Sequence, residues 1–462
     1  MKKNLLSLAL LFGLGLSVPA QAQWTLLNTT GPQTPPDYFF SQVQAVSDQV
    51  VWSLIQENVT SSKVNLLTRT INGGTSFTLS AINGTANYSA ANIHAIDGNT
   101  AYVAQFGAAN GGEVVKTVNG GTSWAKSTTA TQFVASQGGF ADMVYFFDAN
   151  NGVALGDPTN GYFEIYTTSN AGGTWTRVPS ANIPAPLDAN EYGLVGSYDA
   201  IGNTIWVGTI HLLDPADQTT GIPARILKST DRGLTWTASA VTPILGAVSG
   251  IAFTDVNNGI AYSGTSLIAT TDGGANWTTQ TYTGNFNHFD VAAVPGTNIL
   301  VSVGASVETV TAASDRGTSY STNNGRSWVD IERGVYHPSV DFVSRTVGFA
   351  GGLTDPTGAG GIYKSTTTIL ASRNAEVQKA LSVYPNPSTS GIFNLQLASG
   401  IKAGTTVRVF DAVGRLVLNN TLNGTAVSSK ETTLDLSKEK AGLYTLELRT
   451  DAGVAQQKLV IE

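Results

Sequence analysis

The chain of 462 residues contains no cysteine, which excludes a disulfide framework, thiol catalysis and cysteine-ligated zinc. Charged residues are also scarce, at 12% of the chain, and the formal net charge is −7. The sequence has no basic stripe, so no nucleic-acid partner is expected. Its 4 histidines lie far apart and show no i,i+4 spacing, so neither a metal nor another cofactor is expected.

Long apolar runs are absent as well, and the longest lies near the N-terminus. Leu5 to Leu16 is too short to span a bilayer, follows Lys2 and Lys3, and precedes the cleavage-type tripeptide Ala20-Gln21-Ala22. Residues 1–22 are therefore expected to be a secretory signal peptide and the mature protein to begin at Gln23. No integral membrane segment is expected elsewhere, and the protein should be secreted or lie on the outer cell surface.

An octapeptide of the form Ser/Thr-x-Asp/Asn-x-Gly-x-Ser/Thr-Trp recurs roughly every 40–60 residues, a period typical of propellers and solenoids. The Asx-x-Gly centre favours a tight hairpin turn, because glycine adopts positive φ and the Asx side chain bonds to nearby backbone amides. The final aromatic residue begins the next strand. The six copies, here called boxes, are Thr70–Phe77, Thr117–Trp124, Thr168–Trp175, Ser229–Trp236, Thr270–Trp277 and Ser321–Trp328.

The segments around each box predict four short antiparallel strands per repeat, the pattern of a propeller blade. After the sixth box, Gly361–Thr366 is typical of the strand before a box, but no box follows. Gln23–Leu27 is typical of the strand after a box. We therefore predict seven blades over residues 23–366, with the N-terminal strand completing the last one. Such a clasp removes an open sheet edge.

The last 82 residues have a different pattern, with short alternating strands, Gly or Pro turns and no box. Residues 367–380 are predicted to be a linker, and residues 381–462 a small β-sandwich. The predicted fold class is thus all-β, a seven-bladed β-propeller followed by a β-sandwich.

Two family resemblances accompany these motifs. The boxes resemble the Asp-box, or BNR, repeat of sialidases, and their style is also similar to that of the photosystem II assembly factor propellers. Residues 381–462 carry YPNP, VxVFDxxGRxV, LDLS, AGLYxLxL and a terminal KLVI, in that order. This segment resembles the type A C-terminal sorting domain of type IX secretion cargo. The resemblance implies transport across the outer membrane of a Bacteroidetes-type bacterium, with the secretion machinery as a partner.

Candidate site residues are expected on the face opposite the boxes, because the box residues are needed to form turns and function usually lies on loops held by a scaffold. Asp157 and Glu191 are the predicted catalytic carboxylate pair, should the protein be an enzyme. Ligand-binding residues are predicted at Tyr192, His288, Tyr336 and His337. The aromatic residues available to stack on sugar rings are Tyr38, Tyr192, Phe286, Phe289 and Tyr336.

The preferred function is the binding of an extracellular glycan or protein ligand without catalysis. The alternative is a glycoside hydrolase that uses a carboxylate pair. A sialidase is disfavoured, because the chain lacks an Arg-Ile-Pro motif and only Arg225, Arg316 and Arg333 are placed to reach the loops opposite the boxes.

Overall fold

The structure is a computed structural model that describes residues 24–27, 38–57, 63–82, 88–107, 111–212, 222–354, 360–365, 381–397, 401, 404–411, 415–450 and 453–462. The predicted signal peptide and the predicted linker at residues 367–380 lie outside these ranges.

The propeller strands of the described residues form seven four-stranded antiparallel sheets, as predicted. The strands, four to a blade and from the inner to the outer strand, are as follows: β2 Tyr38–Ala45, β3 Val51–Glu57, β4 Lys63–Thr70, β5 Thr78–Ala81; β6 Ser89–Ala95, β7 Ala101–Gly107, β8 Gly111–Thr117, β9 Ala125–Lys126; β10 Ala141–Phe146, β11 Gly152–Thr159, β12 Tyr162–Thr168, β13 Thr176–Arg177; β14 Glu191–Ile201, β15 Thr204–His211, β16 Ile226–Ser229, β17 Thr237–Ala238; β18 Gly250–Phe253, β19 Gly259–Ser263, β20 Ser266–Thr270, β21 Thr278–Thr279; β22 Asp290–Ala293, β23 Leu300–Ala305, β24 Arg316–Ser321, β25 Val329–Arg333; and, for blade 7, β26 Val340–Ser344, β27 Val347–Ala350, β28 Tyr363–Ser365 and β1 Trp24–Leu26. Short 3-10 turns occur at Ala135–Gln137, Ser180–Asn182 and Ala313–Asp315.

Each box forms the turn between the third and fourth strands of a blade. In the fourth blade, Ser229 Oγ accepts the Gly233 N–H at 2.8 Å, and Asp231 Oδ1 accepts the Thr235 N–H at 2.9 Å. Gly233 has φ +85°, and a Cβ there would press on Val153 of the preceding blade. The box aspartates and asparagines therefore act as turn formers.

The core lies between neighbouring blades. The tryptophans that close the boxes contribute to it, and Trp175, Trp236, Trp277 and Trp328 are all buried. Trp236, for example, packs with Val153, Ile165 and Ile205 from the third and fourth blades. Burial of large rings at these positions joins each blade to the next.

The N-terminal strand completes the seventh blade, which confirms the predicted clasp. β1 pairs antiparallel with β28 in the register Trp24↔Ser365, Thr25↔Lys364 and Leu26↔Tyr363. Trp24 is buried among aromatic rings, with centroids 5.9 Å from Phe342 and 5.7 Å from His337. The first and last strands of the propeller therefore belong to one sheet.

The C-terminal segment forms two sheets that share one apolar core, which gives the predicted β-sandwich. Its strands are β29 Leu381–Tyr384, β30 Ile392–Leu397, β31 Thr406–Asp411, β32 Leu416–Thr421, β33 Glu431–Asp435, β34 Gly442–Thr450 and β35 Gly453–Ile461, with a helix α1 at Gly424–Ser429. One sheet has the order β29-β30-β33 and the other β32-β31-β34-β35. No helix in the described part of the chain combines the length and apolar character needed to cross a bilayer.

Candidate functional site

The antiparallel order of each blade places two kinds of turn on each face of the propeller. The boxes and the turns between first and second strands lie on one face, here called the box face. The loops between second and third strands and the connections between blades lie on the other, here called the loop face. All six predicted site residues lie at or near the loop face, because they fall in these loops or at the adjoining strand ends.

The inner strands of the seven blades surround a central channel with a cavity of about 750 Å³. The cavity is lined by Tyr145, Asp199, Asp290 and Asp341, and Phe289 and Pro338 line it where the blade connections meet it on the loop face.

A set of inner-strand carboxylates, here called the polar belt, joins neighbouring blades around this channel. It consists of Asp199, Asp290 and Asp341. Each carboxylate accepts two backbone N–H groups, one from the next residue of its own strand and one from the inner strand of the following blade. The inter-blade acceptances are Asp199 from Phe253 at 2.6 Å, Asp290 from Val340 at 2.8 Å and Asp341 from Ala45 at 2.8 Å. The last of these bonds joins blade 7 to blade 1, so the belt reinforces closure of the ring.

Burial raises the pKa of Asp199 and Asp341 to about 7 and that of Asp290 to about 6. The backbone hydrogen bonds oppose this by favouring the charged form, whereas the Asp290 charge adds to the rise at the other two carboxyls. The folded propeller therefore holds these protons more tightly than an unfolded chain, in which an aspartate has a pKa of about 3.9.

We expect the propeller to lose stability as the pH rises from 5 to 8. A raised folded-state pKa contributes stability that is complete below about pH 4 and is lost as the pH rises through the folded value. His94 acts in the opposite sense, because burial lowers its pKa to about 4. Since the channel leaves part of each carboxylate accessible, we expect a net fall of about 2 kcal/mol in the free energy of unfolding, less than full burial would give.

Urea unfolding at pH 5 and pH 8 measures this difference. Asp341→Asn should reduce the pH dependence, whereas Asp231→Asn on the box face should leave it unchanged. Burial alone would raise the pKa of Asp231, but hydrogen bonds from Thr235 and Ser229 leave it below the ordinary value, outside this pH range. A propeller equally stable or more stable at pH 8 would contradict the prediction.

Asp157 lies at the loop-face end of β11. Burial raises its pKa to about 7, although the carboxylate accepts a hydrogen bond from the Gly193 N–H. The buried Asp142 approaches the same glycine, since a Cβ on Gly193 would overlap Asp142 Oδ2. Two carboxyl groups thus meet beside Gly193.

Glu191 is buried and held by a different set of partners. Arg225 binds it with both sides of its guanidinium, Nε to Oε1 at 2.7 Å and Nη2 to Oε2 at 2.8 Å. The Leu187 N–H also donates to Oε2, at 2.7 Å. The carboxylate that accompanies Asp157 at Gly193 is therefore Asp142, which the sequence reasoning missed. A signal for it was present, because Asp142 is a charged residue directly before the apolar run Met143–Phe147.

The structure brings His288 and Tyr336 together through Phe289. The Phe289 ring stacks at 5.8 Å on His288 and meets Tyr336 edge-on at 5.3 Å. The Arg316 guanidinium lies over the Tyr336 ring, 5.4 Å from its centroid. We call Phe289, Tyr336 and Arg316 the aromatic edge. Phe289 is 48% exposed, and its ring packs against the backbone at Gly304, where a Cβ would overlap it.

The remaining two predicted ligand residues occupy different surroundings. Tyr192 is half-buried in β14, opposite Ile210 of β15. His337 is fully buried, with Nδ1 2.9 Å from the Gly351 carbonyl oxygen and Nε2 2.8 Å from Glu332 Oε1. Its ring also contacts Tyr363 and Trp24, so His337 supports the clasp. Within the described ranges, no group of three or more His, Asp or Glu side chains is placed to hold a metal ion.

Comparison with known proteins agrees with both parts of this architecture. Residues 382–462 match the family described as Secretion system C-terminal sorting domain. YCF48 from Cyanidioschyzon merolae is 15% identical, with a TM-score of 0.50 over 74% of this chain and 98% of that one. This likeness concerns the fold alone.

Two further solved structures are less similar. The structure described as YCF48 bound to D1 peptide is 15% identical over 75% of this chain and 97% of that one, with a TM-score of 0.33. The GH74 enzyme from Niastella koreensis is 14% identical over 92% of this chain and 67% of that one, with a TM-score of 0.23. Scores this low support no argument. Among curated proteins, no match was found.

The chain is therefore a β-propeller protein that ends in a sorting domain of the type IX secretion system. That domain indicates handling by this system and export to the cell surface or the medium.

Proposed function

We propose that this protein binds an extracellular glycan or protein ligand on the loop face of its propeller, without catalysis. The observation that carries the proposal is the aromatic edge at the mouth of the channel. Phe289 presents nearly half of its surface there, although its orientation is fixed by Tyr336 and by the close backbone at Gly304. An exposed ring on a rigid support is a favourable anchor for a ligand, because little conformational freedom is lost on binding.

The box face offers less for recognition. Its Asp and Asn side chains accept turn N–H groups, as Asp231 does from Thr235 and Asp272 does from Asn276 at 3.0 Å. These groups are needed for the hairpins themselves. The loop face therefore carries the proposed site.

A glycoside hydrolase is the second candidate, and Asp157 is the residue that favours it. A carboxyl group with a pKa raised to about 7 by burial suits a general acid. Asp142 is placed to be its companion. Glu191 suits the catalytic role less well, because Arg225 and the Leu187 N–H occupy both of its oxygens.

A sialidase has less support than either candidate. That chemistry needs several arginines directed at one substrate carboxylate. Arg225 is paired with Glu191, and Arg333 with Asp330 at 2.9 Å. Of the three arginines considered from the sequence, only Arg316 has its guanidinium on the aromatic edge without an acidic partner in the described residues.

We expect Phe289→Ala to weaken ligand binding by about tenfold, and Tyr336→Ala by a similar factor, since central aromatic anchors commonly contribute more than 1 kcal/mol. A glycan array followed by titration calorimetry with each hit measures the effect. Leu234→Ala is the matched control, because Leu234 is an exposed apolar residue on the box face. Equal binding by all three variants would contradict the proposed site.

The same hits decide between a binder and a hydrolase. Hydrolysis of a bound glycan that Asp157→Asn abolishes, with binding retained, would establish the second candidate and refute the non-catalytic proposal. Binding without turnover supports the first. Glu191→Gln is a poor test of catalysis, since removing one partner of a buried ion pair is itself strongly destabilising.

A further inference from the structure

The charged residues around the aromatic edge are almost all paired. Four acids lie in the surrounding loops and strands, and each has a partner. Glu308 accepts the Thr265 N–H at 2.7 Å, and Asp315 accepts the Thr311 and Ala312 N–H groups, both at 2.8 Å. Asp330 binds Arg333 and Asn285, and Glu332 binds His337.

Arg316 is the exception among the described charged groups of this edge. Its neighbour Arg333 donates to Ser306 Oγ and the Ser314 carbonyl oxygen in addition to pairing with Asp330. The Arg316 guanidinium has the Tyr336 ring as its contact, and its Nε lacks a hydrogen-bond acceptor. A guanidinium held over a ring keeps its donor edge directed outwards, and this planar fork suits a carboxylate, which it binds with two parallel hydrogen bonds.

We propose that the ligand of the aromatic edge is an acidic polysaccharide, and that Arg316 binds the carboxylate of one of its hexuronate units. This inference rests on the proposed loop-face binding function and specifies its ligand class. Phe289 offers an exposed ring on which a neighbouring sugar stacks, and Arg316 supplies the charge that selects an acidic sugar over a neutral one.

A polysaccharide fits this edge better than a folded protein partner does. Phe289 and Val307 are the large apolar residues that the structure shows exposed here, at 48% and 36%. Stable protein interfaces cover about 800 Å² per partner around a cluster of buried apolar anchors. One ring and one arginine at the mouth of a channel instead match the small, polar footprint of a few sugar units.

The test uses the full mature chain and a hexamer of galacturonate, with the same hexamer after reduction of its carboxyl groups as the neutral probe. Calorimetry should show binding of the acidic hexamer that Arg316→Gln weakens by about tenfold or more, because charge-assisted bidentate bonds are among the strongest in proteins. Arg316→Lys should recover only part of the affinity, since it keeps the charge but loses the fork. Arg326→Gln, an exposed arginine on the box face, should have no effect.

Several outcomes overturn the inference, and they are distinguishable from a failure of the proposed function. Equal affinity for the acidic and reduced hexamers, or an affinity that Arg316→Gln leaves unchanged, refutes the uronate assignment; loss of that binding in Phe289→Ala would still support the loop-face site. Binding of neither hexamer also refutes it. Arg316-dependent binding of a peptide carboxylate, with no saccharide bound, would assign the edge to a protein ligand instead.

Discussion

Replacement of Trp24 by alanine is expected to lower the free energy of unfolding of the propeller by about 3–5 kcal/mol, the range typical of a buried aromatic residue truncated to alanine. Trp24 is only 5% exposed, although it lies three residues into the described strand that ends at Leu26 and Leu27. Its ring fills the space between Phe342 and His337. The variant would leave a cavity where the two ends of the propeller meet.

Chemical denaturation followed by far-ultraviolet circular dichroism measures this loss. Leu26→Ala is the matched control, because Leu26 is on the same strand but is 43% exposed, so we expect a cost below about 1 kcal/mol. Removal of residues 23–27 should be worse than Trp24→Ala, since it also exposes the edge of β28 and favours association between molecules. A cost for Trp24→Ala no larger than that for Leu26→Ala would show that the clasp does not close the ring.

The parts of this fold that were predictable are those set by short-range chemistry. A box needs only residues within four positions of one another, as the Ser229 to Gly233 and Asp231 to Thr235 bonds show. The clasp was predictable because Gly361–Thr366 and Gln23–Leu27 are two halves of one repeat. No knowledge of distant contacts was required for either.

The polar belt was not predictable in the same way. Asp341 binds the N–H of Ala45, 296 positions earlier, and Asp290 binds that of Val340, 50 positions later. Whether an inner-strand carboxylate faces the channel or the next blade depends on the pleat and on the register between neighbouring sheets. An isolated acid in a strand gives no indication of either.

The candidate site was predicted in part. Loop position alone placed His288 and Tyr336 on the correct face, but not Phe289 as the ring between them. Glu191 was a reasonable candidate carboxylate from its position in a loop. Its partner Arg225, however, is 34 positions away across the blade, and only the folded chain shows that the two form a buried pair.

Removal of residues 382–462 is expected to abolish appearance of the protein in the medium or on the cell surface and to leave it in the periplasm. The segment matches the sorting-domain family, and its apolar core consists only of residues from 383 to 461. Because that core is built without propeller residues, the truncated propeller should unfold at the same denaturant concentration as the full chain. Cell fractionation together with that unfolding measurement checks both expectations.

A point variant distinguishes recognition of the folded sorting domain from a simple effect of chain length. Phe393 is completely buried in the sandwich, whereas Ile392, its neighbour on β30, is 41% exposed. Phe393→Ala should cost about 3–5 kcal/mol, enough to unfold a small domain, and export should fall with it. Ile392→Ala should be exported normally. Attachment of residues 381–462 to a periplasmic reporter should move the reporter outside the cell. If the truncated protein still reached the medium, or the reporter stayed in the periplasm, the segment would not be the export signal of this chain.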